Sequence, residues 1–130
     1  MPRMIFVNLP VKDLEASKRF FGELGFSFNE EFSDDSAACM VVDDNIYFML
    51  LVEERFRDFI NDEIADTSRT TEVLNALSAD SREEVDKLVD TALASGGAEW
   101  KPTMEEGPMY GRSFQDPDGH VWEIMHMDVG

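Results

Sequence analysis

The feature that most constrains this chain is an order of predicted elements that occurs twice. In each half, a segment of alternating apolar residues precedes a stretch with helical spacing, and three more strand-like segments follow. Val11, which ends the first segment, has its counterpart 68 positions later at Ala79. This internal repeat predicts two βαβββ units of similar size. We therefore expect a single α+β domain, with one unit over about 1–53, a linker over about 54–69 and a second unit over about 70–130.

Local signals mark the ends of both predicted helices. Asp13 precedes the first helical stretch as an N-cap, and Gly25 follows it where a left-handed C-terminal residue would fall. Ser81 and Glu84 have the spacing of a capping box at the start of the second helix, which ends at Gly96-Gly97. Strands are predicted at 5–11, 26–32, 37–42, 46–52, 71–79, 99–103, 110–115 and 121–127.

The segment 53–69 lies between the two predicted units and is mostly polar. It contains one short stretch with helical character, over 55–60. The sequence leaves two interpretations open, because such a segment serves either as a linker or as a lid over a pocket.

Charge and composition exclude several classes of partner. The chain has 11 Lys and Arg against 28 Asp and Glu, and its formal net charge of -17 repels nucleic acid and anionic membranes. No stretch approaches the roughly 18 apolar residues of a membrane-spanning helix, and the N-terminal residues lack the pattern of a secretory signal. Cys39 is the one cysteine, so no disulfide framework is expected. These features predict a cytoplasmic protein with no nucleic-acid or membrane partner.

Three motifs together carry a resemblance to a known superfamily. They are Val11-x-Asp13-Leu14 continued by Phe20-Phe21 and Leu24-Gly25-Phe26, then Gly96-Gly97, then Asp116-Pro117-Asp118-Gly119 followed by Glu123. In this order and spacing they resemble the vicinal oxygen chelate superfamily, which includes glyoxalase I, extradiol dioxygenases, and fosfomycin- and bleomycin-resistance proteins. The resemblance covers essentially the whole chain. It implies a glyoxalase/bleomycin-resistance/dioxygenase-like fold in which eight strands surround a cavity, usually completed in a homodimer.

The resemblance also implies where a metal would bind. In metal-dependent members, four side chains from the first and last strands of each unit hold a divalent ion. The corresponding positions here are Phe6, Phe48, Leu74 and Glu123, and a slip of one residue would replace Phe48 by Tyr47 or Met49. Only Glu123 has a side chain of a ligand type, and one carboxylate does not hold a catalytic divalent ion against water. We therefore predict no metal and no other cofactor.

Strand alternation, applied to these positions, predicts a mostly apolar ligand pocket. Tyr110 and Arg112 are the expected polar anchors at its mouth. Glu123 would be its charged group, with three roles left open: a general acid or base, a site for a cationic ligand group, or an ion-pair partner of Arg112. The expected lining residues are Phe6, Asn8, Phe48, Leu50, Leu74, Ala76, Val121 and Met125.

Two classes of function remain open at this stage. The first is a metal-free protein that binds a hydrophobic or cationic small molecule in the cavity of a homodimer, as the bleomycin-resistance branch implies. The second is an enzyme of the superfamily, similar to lactoylglutathione lyase or an extradiol dioxygenase. Such an enzyme would use either a metal bound at other residues or Glu123 as a general acid or base.

Overall fold

The computed structural model describes residues Pro2–Asp128, and the chain divides into two compact units between Ala65 and Asp66. The first unit comprises, within the described residues, β1 (Ile5–Val11), α1 (Leu14–Glu23), β2 (Ser27–Asn29), β3 (Ala37–Asp43), β4 (Ile46–Val52) and α2 (Glu53–Arg57). The second comprises β5 (Leu74–Ser78), α3 (Arg82–Ala94), β6 (Ala98–Glu99), β7 (Met104–Glu106), β8 (Met109–Gln115) and β9 (Val121–Met127).

The two long helices begin and end at the predicted residues. The Asp13 side chain accepts a hydrogen bond from the backbone N–H of Ala16 at 3.1 Å, and the Ser81 hydroxyl accepts one from the N–H of Glu84 at 3.1 Å. After the helices, Gly25 and Gly96 have φ values of 101° and 113°, which side chains with a Cβ rarely adopt. The capping predictions are therefore confirmed.

The first unit is a four-stranded sheet with α1 packed on one face. Its strand order is β1-β4-β3-β2, with β1 and β4 parallel and the other pairs antiparallel. The α1 side carries most of the core of this unit, and it brings Phe20 and Phe21 of the helix against the sheet. Residues of the sheet buried on this side are Leu9, Val11, Ala38, Met40, Phe48 and Leu50. We call the opposite side the far face of the first sheet.

The second unit repeats this plan. Its strand order is β5-β9-β8-β6, with β5 and β9 parallel, and β7 also pairs with β8. Helix α3 packs on β8 and β9, where Phe114, Trp122 and Ile124 are buried together with Val85 and Val89 of the helix. We call the side opposite α3 the far face of the second sheet.

Three predicted strands differ from the observed ones. The strand predicted at 26–32 ends at Asn29, because the Asn29 side chain accepts a hydrogen bond from the N–H of Glu31 at 3.0 Å and starts a 3-10 turn. The strand predicted at 71–79 begins only at Leu74, because its partner β9 begins at Val121. The strand predicted at 99–103 is two short strands, β6 and β7, separated by a segment that contains Pro102 and therefore lacks one N–H.

Among residues 2–128, no helix is both long enough and apolar enough to cross a membrane.

Candidate functional site

The register of the second sheet determines which side chains share the face of Glu123. In β9 and its neighbours, Glu123 lies beside Ala76 of β5 and beside Ser113 of β8. Leu74 and Met125 are each two residues from a member of this row and point the same way. The structure therefore brings Leu74, Ala76, Glu123 and Met125 together on the far face of the second sheet, as the sequence predicts.

Glu123 lines a small pocket on this face. The pocket has a volume of about 160 Å³, and Met104, Met125, Ser113 and Lys101 are among its other lining residues. Glu123 is half-buried, and no residue from Pro2 to Asp128 gives its carboxylate a hydrogen bond or an ion pair. A carboxylate in such a place can receive a cationic or hydrogen-bond-donating group from a bound molecule.

Gly111 and a hydrogen bond between Lys101 and Ser113 also shape this pocket. Gly111 is buried on its floor, where a Cβ atom would come within 3.4 Å of both Met104 Cε and Met125 Cγ, so a larger residue would narrow the pocket. On the neighbouring segment, the backbone N–H of Lys101 donates a hydrogen bond to the Ser113 hydroxyl at 3.2 Å. Lys101 and Ser113 also line a second pocket of about 430 Å³, at the edge of the sheet.

The sequence-based placement is wrong for Tyr110, which does not line the Glu123 pocket, whereas Arg112 is among its lining residues. Both side chains are directed to the α3 side of the sheet, because Ser113 faces away from α3 and side chains alternate along β8. Arg112 Nη1 lies 3.0 Å from Asp86 Oδ1 and 2.9 Å from Asp90 Oδ1, both on α3. The Tyr110 hydroxyl also donates a hydrogen bond to Asp86. These residues therefore bind the helix to the sheet, and Arg112 does not pair with Glu123.

Asp86 is the electrostatic centre of this helix contact. The hydrogen bond from Tyr110, followed by that from Arg112, holds the pKa of Asp86 below its ordinary value, against the opposing effect of burial. The same hydrogen bond raises the pKa of Tyr110, because loss of its proton would place two negative charges together. Tyr110 therefore remains a neutral donor.

Phe48 and Leu50 are also on the wrong side of their sheet for the predicted pocket. In the parallel pair of β1 and β4, Phe6 lies beside Tyr47 and Asn8 beside Met49, whereas Phe48 lies beside Val7 on the α1 side. The Phe6 and Tyr47 rings are stacked with their centroids 5.0 Å apart. Leu50 follows Phe48, and both are buried under α1.

This error has an identifiable cause in the turn before β4. Val41 pairs with Tyr47 and Gln115 pairs with Val121, so Tyr47 is the counterpart of Val121. Aligning the turn residues Asp44-Asn45 on Gly119-His120 instead places Ile46 at the position of Val121, and this slip of one residue moves every side chain to the other face. Met49 pairs with Asn8, two residues after Phe6, and Glu123 pairs with Ala76, two residues after Leu74. Met49 is therefore the residue at the fourth-strand position that the resemblance implies.

The side chains at the four positions implied for metal binding do not fit a divalent ion. Phe6 and Leu74 have no donor atom, and the Met49 thioether is a soft ligand that suits neither magnesium nor manganese. In the described part of the chain, no group of three His, Cys, Asp or Glu side chains is close enough to hold a metal elsewhere. Glu123 is therefore a carboxylate without the companions that a metal site requires.

The Asp-Pro-Asp-Gly turn before β9 is held by a buried carboxylate. Asp116 accepts hydrogen bonds from the backbone N–H of Asp118 at 2.9 Å, the N–H of His120 at 3.0 Å and the indole N–H of Trp122 at 3.0 Å. Burial raises the pKa of Asp116, although His120 and the Trp122 hydrogen bond oppose this effect. His120 is itself buried, and its Nδ1 lies 2.7 Å from Glu72 Oε1.

The glycine of this turn is fixed by two separate constraints. Gly119 has a φ of 84°, and a Cβ atom there would lie 2.9 Å from the Thr67 hydroxyl oxygen and 3.2 Å from the Thr67 carbonyl oxygen. The Thr67 hydroxyl in turn donates a hydrogen bond to the Asp118 carbonyl. Thr67 and Glu72 thus hold the segment before β5 against the turn. The sequence gives no signal of these contacts, since neither residue belongs to a motif.

The first unit has a pocket of its own on the far face of its sheet. It has a volume of about 510 Å³ and is lined by Asn8, Leu51, Phe56, Phe59 and Ile60. Phe56, Phe59 and Ile60 belong to α2 and the turn that follows it. The beginning of the segment 53–69 therefore forms one wall of this pocket.

Comparisons with known proteins agree on the fold. Residues 3–43 match the family model described as bleomycin resistance protein-like N-terminal. The hypothetical protein SA1046 from S. aureus is 27% identical with a TM-score of 0.81, covering 97% of this chain and 94% of that one. A glyoxalase-related enzyme from Fulvimarina pelagi is 24% identical with a TM-score of 0.80, covering 100% of this chain and 94% of that one.

A third solved structure is also similar over nearly its whole length. It is a glyoxalase/bleomycin resistance protein/dioxygenase family enzyme from Burkholderia phytofirmans PsJN, 21% identical with a TM-score of 0.80, covering 98% of this chain and 100% of that one. No curated protein matches the chain. At these identities the structural likeness establishes the α+β fold of paired βαβββ units and not a reaction.

Proposed function

We propose that this chain, which has the fold of the vicinal oxygen chelate superfamily, is a metal-free binding protein for a small cationic molecule with apolar groups. The observation that carries the proposal is the Glu123 carboxylate, half-buried beside Met104 and Met125 with no partner among the described residues. Partial burial of an unpaired charge costs free energy. A cationic group of a ligand would recover that cost and gain a charge-assisted hydrogen bond.

The surroundings of Glu123 support a ligand with apolar groups. On the far face of β5, β8 and β9, whose residues are all described, Glu123 is the one ionisable side chain. Leu74 and Met127 on the same face are 51% and 48% exposed, and methionine side chains adapt readily to the shape of a bound molecule.

A homodimer forms part of this proposal. Phe6 is 49% exposed and Leu74 51% exposed, and large exposed apolar side chains are typical of surfaces that a second chain covers. Sedimentation equilibrium at tens of micromolar protein should give about twice the 14.8 kDa mass of the chain. A monomer under these conditions would contradict the dimer without affecting the proposed role of Glu123.

The role of Glu123 can be tested with two small probes of similar size and opposite charge. Benzylammonium is an aromatic cation with N–H donors, and benzoate is an anion of similar size. We expect the wild-type protein to bind the cation and not the anion, and Glu123→Gln to weaken cation binding about tenfold, which corresponds to roughly 1.4 kcal/mol. Isothermal titration calorimetry measures both affinities.

A matched control separates this local effect from the general acidity of the chain. Glu63 is exposed and does not line the pocket, so Glu63→Gln removes the same charge without changing the pocket lining. Its effect on cation binding should be less than about twofold at 0.15 M salt, because exposed charges are screened there. Equal losses in the two variants would show that the cation is attracted by net charge alone and would overturn the proposal.

The absence of a metal is part of the same proposal and has its own measurement. Elemental analysis of protein purified without chelators should give far less than one equivalent of any transition metal per chain. Metal near one equivalent would contradict the proposal. Its loss in Glu123→Gln would show that Glu123 is a ligand and would favour an enzyme in which the other ligands lie outside the positions that the resemblance implies.

A further inference from the structure

We propose that the first unit contains a second binding site, which takes an uncharged aromatic ring that carries a hydrogen-bonding group. The site is the pocket of about 510 Å³ lined by Asn8, Leu51, Phe56, Phe59 and Ile60, which we call the first-unit pocket. It lies in a different unit from Glu123, so this inference stands independently of the function proposed for that residue.

The first-unit pocket is built where α2 follows β4 without a loop. β4 ends at Val52 and α2 begins at Glu53, so the chain turns directly from the sheet into the helix. Leu51 points to the far face, since it pairs with Pro10 and alternates with Leu50. Phe56 and Ile60 are four residues apart and lie on one side of the helical turn, facing Leu51.

Phe59 is held at the rim of this pocket although it is 64% exposed. The Arg55 guanidinium lies over its ring, with Cζ 4.7 Å from the ring centroid, and Arg55 Nη1 also pairs with Asp58 Oδ2 at 3.1 Å. These contacts fix the position of the ring without covering it. An exposed phenylalanine keeps apolar surface in water, and a ligand that covers the ring would remove that surface from water.

The lining of the pocket indicates the class of ligand. Four of its five residues are apolar and none is ionisable, so a charged group would lose its hydration without gaining a partner. Asn8 is the polar exception. Its amide N–H reaches the Phe6 carbonyl only at 3.4 Å, a long hydrogen bond that a ligand hydroxyl could replace. The volume is within the range of roughly 300–1,000 Å³ that is usual for pockets that hold small organic molecules.

The experiment uses two bicyclic probes that differ in one group of similar size. 1-Naphthol carries a hydroxyl where 1-methylnaphthalene carries a methyl, and equilibrium dialysis measures the affinity of the full-length protein for each. The wild-type protein should bind both and should favour 1-naphthol. Asn8→Leu, which keeps the branched shape without the polar atoms, should remove this preference, because the buried hydroxyl then loses its hydration without gaining a partner. A preference for 1-naphthol that survives this change would overturn the role of Asn8.

The contribution of Phe59 has a matched control in the same unit. Phe32 is also 64% exposed, and it does not line the pocket. Phe59→Ala should weaken the binding of both probes about tenfold, because the ring forms one side of the site. Phe32→Ala should change it less than about twofold, since a comparable loss of exposed apolar area occurs elsewhere. Similar effects in the two variants would overturn the proposal.

A second copy of the chain is the other possible occupant of this surface. If it were the occupant, Phe59→Ala would lower the mass measured by sedimentation equilibrium and leave probe binding unchanged, which would overturn the proposal. Glu123→Gln provides the remaining comparison. It should leave 1-naphthol binding intact, so failure of the cation test at Glu123 and failure of this test are distinguishable.

Discussion

Asp116 and Glu123 are both carboxylates of the turn and strand that close the chain, and their surroundings are opposite. Asp116 is buried with three hydrogen-bond donors directed at it, two from the turn and one from Trp122. Glu123 is half-buried without a partner in the described chain. The first arrangement stabilises the fold and the second does not, which is why only Glu123 is a candidate for ligand binding.

The raised pKa of Asp116 gives stability a pH dependence that can be measured. The folded protein binds the Asp116 proton more tightly than the unfolded chain, whose pKa is about 3.8. The resulting stabilisation is complete below pH 3.8 and is lost as the pH rises through the higher folded-state pKa. Asp116→Asn cannot titrate, so the free energy of unfolding of the wild type, relative to this variant, should fall as the pH rises through that window.

Urea unfolding at a series of pH values checks this prediction. A wild-type advantage over Asp116→Asn that grows as the pH rises would contradict the assigned direction of the pKa change.

Sequence reasoning succeeded for residues whose position depends on alternation alone. Leu74, Ala76, Glu123 and Met125 share one face because β5 and β9 are regular over their length. It failed for Phe48 and Leu50, because the counterpart of Val121 is Tyr47 and not Ile46, a slip of one residue. Such a shift depends on the pairing of two strands and leaves no mark in the periodicity of either one.

At the scale of the elements, α3 is held against its sheet by side-chain ion pairs as well as by apolar contacts. Arg112 of β8 reaches Asp86 and Asp90, which lie four residues apart on the helix, and it is only 18% exposed. The side chain therefore connects one strand to two successive turns of the helix. The sequence predicts Tyr110 and Arg112 as polar anchors for a ligand, whereas their hydrogen bonds and ion pairs connect β8 to α3.

We predict that Arg112→Met separates stability from binding. The variant should lose about 1–2 kcal/mol of unfolding free energy, because Asp86 and Asp90 lose their shared cation while methionine keeps part of the packing. Arg112 also lines the Glu123 pocket, but its guanidinium is held by Asp86 and Asp90, so the affinity for benzylammonium should remain within about twofold of the wild type. Glu123→Gln should show the converse pattern in the same unfolding and titration experiments. A large loss of binding in Arg112→Met would show that the Arg112 guanidinium contributes to ligand binding.

The elements themselves were largely predictable, and the exceptions follow from pairing. Caps at Asp13 and Ser81 act within four residues, so local sequence determines where the helices begin. The split of the predicted strand 99–103 into β6 and β7 depends instead on β8, which both strands join from the same side. The position of Phe56 and Phe59 in the wall of the first-unit pocket likewise depends on the sheet that they face.

At the scale of the whole molecule, the formal charge of -17 opposes the folded state. Packing 28 acidic side chains and only 11 basic ones into one compact chain brings like charges closer together than in the unfolded state. Added salt shortens the range of this repulsion, from about 30 Å at 0.01 M to about 8 Å at 0.15 M ionic strength. The net charge therefore lowers the free energy of unfolding by an amount that depends on ionic strength.

We predict that the melting temperature rises by a few degrees, on the order of 3–6 °C, between 0.01 M and 0.3 M sodium chloride at pH 7. Differential scanning calorimetry measures the change. A variant with several exposed glutamates of the first unit changed to glutamine should show a smaller rise. A melting temperature that falls with salt would indicate that attractive ion pairs such as Arg112 with Asp86 outweigh the repulsion.

The turn at Asp116–Gly119 has a consequence for how relatives of this chain are recognised. Its glycine is required by a positive φ and by the closeness of Thr67, and its first aspartate is required by Trp122 and two backbone N–H groups. None of these demands involves a ligand. The backbone needs these residues, so the signature reports the shape of the turn. A chain with the same signature is expected to share that turn, and what it binds must be read from the residues that line its own pockets.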